Sequence, residues 1–118
     1  MREILFRGKS ASRDNPEWVE GYYAFDGTHW IERMSEEYPG HTESIPINPE
    51  TLGQFTGFLD VNGKKIFEGD IVVSTSVNRL SNKPHTVSFE NGYIYAVPER
   101  KPQVVGNIYD NPELLSGE

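Results

Sequence analysis

The chain has 118 residues, of which 36% are apolar and 12% aromatic, and 18 Asp and Glu against 11 Lys and Arg give a net charge of −7. This size and composition predict one small folded domain over residues 1–118 and exclude wholesale disorder. The acidic balance opposes broad binding to nucleic acid or anionic membranes, and the absence of cysteine excludes disulfides, thiolate metal sites and cysteine nucleophiles.

The apolar run near the amino terminus is too short for a signal peptide. Ile4, Leu5 and Phe6 stand between Arg2 and Arg7, and such a run is much shorter than a signal or membrane-spanning segment. We therefore expect a cytoplasmic protein with no membrane partner.

Short aromatic and branched runs between turn dipeptides predict a mainly β fold. Residues 18–25 and 29–34 are predicted to form a hairpin around Asp26-Gly27. A second hairpin is predicted between residues 86–90 and 93–97, because Asn91-Gly92 suits a type I′ turn. Further strands are predicted at residues 4–6, 55–59, 65–67, 71–77 and 104–108.

Helices are predicted to be limited to single turns. Asn48-Pro49-Glu50-Thr51-Leu52 and Asn111-Pro112-Glu113-Leu114-Leu115 both combine an Asn cap with Pro at the first helical position. Whether this echo reflects a duplication stays open. Loops are predicted at residues 8–16, 35–45 and 77–84, where polar residues and Pro accumulate.

The turn at Gly69-Asp70 leads into the branched run Ile71-Val72-Val73, a pattern typical of small barrels. We therefore expect residues 53–116 to form a small SH3-like barrel, with an amino-terminal strand region over residues 1–52 packed against it. Asp60 and Asn62 imitate the first ligands of a calcium loop, but Lys65 stands where that loop needs Gly. A hairpin turn is predicted there instead.

The densest group of potential metal ligands is Glu36, Glu37, His41 and Glu43, which His29 could join. A small metal-dependent hydrolase is one hypothesis for this loop. Acidic loops are more often simply solvated, and the chain has neither a zinc motif nor a nucleophile elbow. No catalytic residue, metal or other cofactor is therefore assigned.

Aromatic side chains are the strongest candidates for an interaction surface. Strand aromatics can stack on single-stranded nucleic acid beside a basic strip, although in a thin β domain they more often fill the core or an oligomer interface. The aromatic content and the strand edges predict a homo-oligomer. The candidate interaction residues are Trp18, Tyr22, Trp30, Leu114 and Leu115.

Several stretches of the chain form a recognisable set, namely Phe6-Arg7-Gly8-Lys9, Trp18-Val19-Glu20-Gly21, residues 51–60, residues 62–72 and residues 105–115. Taken together they resemble the YopX family of bacteriophage and prophage proteins. The central block, residues 51–72, and the carboxy-terminal run, residues 105–115, are specific when they occur together. The resemblance covers nearly the whole chain and implies a small β-rich protein, in a bacterial host cell, with no catalytic residues to carry over.

Composition and resemblance together favour a phage accessory protein without enzymatic activity. We expect a self-associating protein-binding module whose partner is a second copy or a host or phage protein. A single-stranded nucleic-acid-binding barrel and a small metal-dependent hydrolase remain the alternatives, and nucleic acid is not the favoured partner.

Overall fold

The computed structural model describes residues 4–75, 83–90 and 92–116. Within these ranges the chain is mainly β, as predicted, and it divides into two compact units at Gln54 and Phe55. The strands are β1 (Phe6–Ser10), β2 (Trp18–Phe25), β3 (His29–Met34), β4 (Thr42–Leu59), β5 (Lys65–Phe67), β6 (Asp70–Ser74), β7 (His85–Thr86) and β8 (Pro102–Asn107). Two 3₁₀ helices, Ile94–Ala96 and Pro98–Arg100, precede β8, and the short helix α1 (Glu113–Ser116) follows it.

Antiparallel strands build the first unit. β1 pairs with β2, β2 with β3, β3 with β4, and β4 pairs in turn with β1. The hairpin around Asp26-Gly27 is confirmed, since β2 and β3 have the predicted bounds and Phe25 lies opposite His29. β1 continues to Ser10, into a stretch predicted as loop.

Residues Asn48–Leu52 do not form the predicted helical turn. They lie within β4. Asn48 pairs with Lys9 of β1 and Gly53 pairs with Arg7, and more residues of β4 than of β1 lie between these two pairs. The surplus residues form a bulge, in which Thr51 Oγ1 donates to the carbonyl of Asn48 (2.6 Å) and accepts from the backbone N–H of Lys9 (2.8 Å). Pairing with β1 satisfies the backbone on either side of the bulge, so the local capping signal does not start a helix.

The core of the first unit lies on one side of these strands. Buried Val19, Ile31 and Ile47 form it, with Phe6, Tyr23, Ile45 and Leu52 packed against them. Gly21 lies where β2 and β3 approach closely, since a Cβ there would lie 2.2 Å from the carbonyl oxygen of Glu32. Successive residues of a strand point to opposite faces, so Trp18, Glu20, Tyr22 and Ala24 lie on the other side of β2.

The second unit is built on β6, which pairs with both β7 and β8. The predicted hairpin after Leu59 is confirmed by the pairing of β4 with β5, where Leu59 lies opposite Lys65. The turn predicted at Gly69-Asp70 is present one residue earlier, at Glu68-Gly69, and the Asp70 carboxylate accepts a 2.8 Å hydrogen bond from the backbone N–H of Phe67. Buried Ile66, Val72, Val87 and Ala96 form the core of this unit.

The predicted pairing of residues 86–90 with residues 93–97 is wrong. β7 pairs with β6, and residues Ile94–Ala96 form a 3₁₀ helix. Gly92 and Tyr93 both have φ near 62°, and this double left-handed step turns the chain so that Ala96 reaches the core beside Val87. Asn91 itself lies outside the described residues.

The carboxy-terminal helical turn is confirmed. α1 begins at Glu113, and the backbone N–H of Leu114 donates to the carbonyl of Asn111 at 3.0 Å. No helix within the described ranges is long and apolar enough to cross a membrane. The predicted strand at residues 71–77 begins at Asp70 as β6, and residues 76 and 77 lie outside the described ranges, as does most of the predicted loop at residues 77–84.

Candidate interaction surface

The side of β2, β3 and β4 that faces away from the core of Val19, Ile31 and Ile47 forms a continuous surface. Tyr22 lies opposite Glu32 and Ala24 opposite Trp30, and β4 places Ser44 beside Glu32. These pairings fix the side chains relative to one another on a hydrogen-bonded scaffold. We call this surface the outer face, and its residues are Tyr22, Ala24, Trp30, Glu32, Met34 and Ser44.

The outer face exposes large apolar side chains. Tyr22 is 68% exposed and Met34 60% exposed. Single exposed apolar residues are common on proteins, but several on neighbouring paired strands form the kind of patch that binds another molecule.

Trp30 is held in place by Asp26 at the hairpin turn. Its indole N–H donates to Asp26 Oδ1 at 2.9 Å, and the backbone N–H of Thr28 donates to the same oxygen at 3.2 Å. The hydrogen bond from Trp30, followed by that from Thr28, lowers the pKa of Asp26 below its ordinary value. The aromatic ring and a charged carboxylate are therefore fixed side by side.

A groove of about 400 Å³ opens on the outer face. Trp30 supplies its aromatic part, Asp26 and Glu32 supply carboxylates, and Phe25 lines one end of it. Ser44 Oγ donates a long hydrogen bond of 3.4 Å to Glu32 Oε2. The remaining lining residue is Ala24, so none of the basic side chains that the structure describes lines the groove.

The structure brings together two of the five predicted interaction residues, Tyr22 and Trp30. Trp18 lies on the same side of β2, but the Arg7 guanidinium lies 4.6 Å from the centre of its ring, with Lys9 Nζ at 5.7 Å. Leu114 and Leu115 belong to the second unit, where Leu115 is 44% exposed. The five predicted residues therefore fall into three groups: Tyr22 and Trp30 on the outer face, Trp18 beside the Arg7 guanidinium, and Leu114 and Leu115 in the second unit.

A second groove, of about 370 Å³, carries the opposite charge. Lys9 and Arg13 are its charged residues, and apolar Ile47 and Pro49 contribute to its wall. Trp18 lies beside it, because Trp18 and Lys9 are cross-strand partners. This is a local basic strip on an acidic protein.

The acidic loop does not gather into a metal site. Glu43 forms an ion pair of 2.8 Å with Arg33, and His29 Nδ1 lies 2.6 Å from the Tyr23 hydroxyl. Within the described part of the chain, no three His, Asp or Glu side chains lie close enough to hold a metal ion.

The second unit contains an aromatic cluster that sequence analysis missed. The rings of His85 and Tyr95 stack at 4.0 Å with an interplanar angle of 4°, and the Arg100 guanidinium lies 5.2 Å from the centre of the Tyr95 ring. Burial, followed by the positive charges of Arg100 and Lys83, lowers the pKa of His85. Its Nε2 atom is buried, and none of the described residues hydrogen-bonds to it.

Asp26, Glu32 and Met34 are further residues of the surface that sequence analysis missed. The signal was the alternation within the predicted hairpin, since positions 30, 32 and 34 share one face of β3 and positions 22 and 24 share one face of β2. Pairing the two strands around Asp26-Gly27 would have placed both sets together.

Comparison with known proteins is consistent with the sequence resemblance. The family model described as YopX protein matches residues 23–116. The chain belongs to the YopX family. A crystal structure of the protein EF1440 from Enterococcus faecalis matches with a TM-score of 0.59 and 24% identity, covering 98% of this chain and 99% of that one. This likeness shows a shared fold. None of the curated proteins matches the sequence.

Proposed function

We propose that this YopX-family chain is a phage or prophage accessory protein that acts as a protein-binding module, without enzymatic activity, in the cytoplasm of a bacterial host. The observation that carries the proposal is the outer face, where exposed Tyr22 and Met34 share one side of the strands with an oriented Trp30. Aromatic residues and methionine are enriched at protein–protein interfaces because each covers a large area on binding.

Charge supports a protein partner over a nucleic acid at this surface. The chain carries a net charge of −7, and Asp26 and Glu32 line the groove of the outer face. Phosphates would be repelled there, whereas a partner with basic groups would be attracted.

Self-association is part of the proposal and is supported by exposed apolar side chains in the second unit. These are Leu59, Val61, Phe89, Ile94, Val105 and Leu115. Sedimentation velocity over a range of micromolar concentrations tests it, with a mass above that of the monomer expected. A monomer mass at every concentration would contradict self-association and leave the outer face as a surface for other proteins.

The closure of residues 53–116 into an SH3-like barrel also belongs to this proposal. It is supported by short antiparallel strands, by a 3₁₀ helix ahead of the last strand, and by two hydrogen bonds between the β4–β5 turn and β8. These bonds run from Val61 N to the carbonyl of Pro102 (2.9 Å) and from Val104 N to Asp60 Oδ2 (3.0 Å).

Two matched tyrosines test the binding function. Tyr22 lies on the outer face and Tyr38 in the loop after β3, and they are 68% and 61% exposed. Tagged parent, Tyr22→Thr and Tyr38→Thr chains are used to capture proteins from lysogenic cells, and the captured proteins are quantified by mass spectrometry. We expect Tyr22→Thr to lose partners that the parent and Tyr38→Thr retain. Equal capture by all three chains would overturn the assignment of the outer face.

A second candidate function, binding of single-stranded nucleic acid, is favoured by the basic groove at Lys9 and Arg13 beside Trp18. Stacking of a base on Trp18 would compete with the Arg7 guanidinium already over its ring. Fluorescence anisotropy with a labelled oligonucleotide at two salt concentrations tests it, since such binding must weaken as salt rises. Lys9→Gln and Arg13→Gln must weaken it further.

A further inference from the structure

The groove on the outer face combines two features that together recognise one kind of side chain. Trp30 supplies an aromatic ring, and Asp26 and Glu32 supply negative charge. A cation gains from both, because it is attracted to the face of an aromatic ring and to a carboxylate.

We propose that this groove binds an arginine side chain of a basic partner protein. The inference rests on the proposed function, because it specifies the partner chemistry of the same surface. A guanidinium is planar and weakly hydrated, so it can stack on Trp30 while it donates hydrogen bonds to a carboxylate.

The site is arranged before any partner arrives. The hydrogen bond from the Trp30 indole to Asp26 Oδ1 fixes the ring and the carboxylate relative to each other, and the bond from Thr28 N ends on that same oxygen. Both bonds end on Oδ1, and neither uses Oδ2. A site arranged in advance loses less entropy when it binds.

The charge of the groove favours a basic partner over a second copy of the chain at this site. Asp26 and Glu32 attract a basic side chain, and the net charge of −7 attracts a basic protein at long range. Among the described residues, the groove has acidic but no basic side chains, so two such grooves would not complement each other, and the self-association proposed above is assigned to the second unit.

Nuclear magnetic resonance of the two indole N–H groups tests the proposal on the full chain. The probe is a short blocked peptide with two arginines, and the control is the same peptide with citrulline, which keeps the shape of arginine but lacks its charge. We expect the Trp30 indole resonance to shift saturably with the arginine peptide while that of Trp18 stays in place. Affinity for the citrulline peptide is expected to be about fivefold lower, and higher salt must weaken arginine binding.

Two variants distinguish binding at the groove from a general effect of the negative charge of the protein. Glu32→Gln removes one charge of the groove and leaves the hydrogen bond between Trp30 and Asp26 intact, so we expect about threefold weaker binding with an unchanged spectrum of the free protein. Asp14→Asn removes an exposed acid from the loop between β1 and β2 and is expected to bind like the parent.

Three results would overturn the proposal: equal binding of the citrulline peptide, equal shifts of both indoles, or equal weakening by Asp14→Asn and Glu32→Gln. If arginine peptides fail to bind while Tyr22→Thr still loses captured proteins, the arginine groove is wrong and the binding function stands. If peptides bind at Trp30 but Tyr22→Thr captures the parental set, the groove stands and the wider outer face is wrong.

Discussion

The indole N–H of Trp30 and Oδ1 of Asp26 lie 2.9 Å apart and connect the first residue of the hairpin turn to the strand that follows it. This bond is the largest of the causes that lower the pKa of Asp26. Protonation of Asp26 weakens the acceptor, so the Trp30 indole senses the charge of the groove.

We therefore predict that the Trp30 indole resonance titrates with a midpoint below the ordinary pKa of an aspartate. Heteronuclear spectra recorded from neutral to acidic pH measure it, with the Trp18 indole as an internal reference. Asp26→Asn must abolish the titration. A Trp30 resonance that follows the same curve in Asp26→Asn would show that the two side chains are not linked in solution.

A second prediction concerns Asp60, whose carboxylate organises the turn between β4 and β5. Oδ1 accepts from the backbone N–H groups of Asn62 (2.8 Å) and Lys64 (2.9 Å), and Oδ2 accepts from that of Val104 (3.0 Å). Removing the carboxylate in Asp60→Ala leaves these donors unsatisfied and is expected to lower the free energy of unfolding by about 2–3 kcal/mol. Chemical denaturation measures the loss, with Asp14→Asn as the exposed control.

The same contacts set the pH dependence that Asp60 contributes. Burial raises the pKa of Asp60, but the hydrogen bonds from Val104, Lys64 and Asn62 outweigh it and leave the pKa below the ordinary value of 3.8. Its stabilising effect is therefore complete above that value and is lost as the pH falls through the lower, folded-state pKa. Asp60→Asn must show a smaller acid-induced loss than the parent, and equal losses would contradict this assignment.

A third prediction follows from the stacking of His85 on Tyr95. The pKa of His85 is lowered in the folded chain, so the unfolded chain binds more protons once the pH falls below the ordinary value of 6.5. Stability is therefore expected to fall as the pH drops from that value towards the folded-state pKa. The difference in unfolding free energy between about pH 7.5 and about pH 5.5 measures this effect.

Matched histidine variants isolate the contribution of His85. His85→Gln must reduce the difference between the two pH values, whereas His41→Gln, at an exposed loop position, must keep it. The same reduction in both variants would assign the pH dependence to general histidine charge and not to the stacked ring.

A fourth prediction concerns Gly92, where φ is near 62° and a Cβ would meet no atom within 4 Å. The backbone alone therefore decides the outcome. Gly92→Val is expected to lower the free energy of unfolding by about 1–2 kcal/mol, because a β-branched residue is strained in the left-handed region. Gly92→Asn, which tolerates that region, must melt close to the parent, and equal melting of Gly92→Val and the parent would show that this turn is absent in solution.

Local sequence patterns predicted the elements that depend mainly on residues close in sequence. The bounds of β2, β3 and β5 follow from short runs of aromatic and branched residues between turn dipeptides. Asn111-Pro112 starts a helical turn as predicted, whereas the same signal at Asn48-Pro49 lies in a bulge of β4. The difference is that Asn48 and Gly53 pair with β1, a strand that is distant in sequence. A local sequence pattern cannot predict such a long-range pairing.

The strand predicted at residues 93–97 is absent for a related reason. Their composition suits a strand, but the core of the second unit requires Ala96 beside Val87 and Ile66, and a 3₁₀ helix provides that position. At the candidate site, Tyr22 and Trp30 were predicted because aromatic residues within predicted strands can be recognised in the sequence. The cation over Trp18 and the tie between Trp30 and Asp26 depend on register and side-chain geometry.

The fifth prediction tests the central claim, that the outer face binds a protein, at the residue that carries it. Benzoylphenylalanine is placed at position 22 or, as the control, at position 38, and cells of the host bacterium are irradiated. We predict a discrete protein adduct from position 22 that position 38 does not give. No adduct at position 22, the same adducts at both positions, or an adduct with nucleic acid would contradict the account.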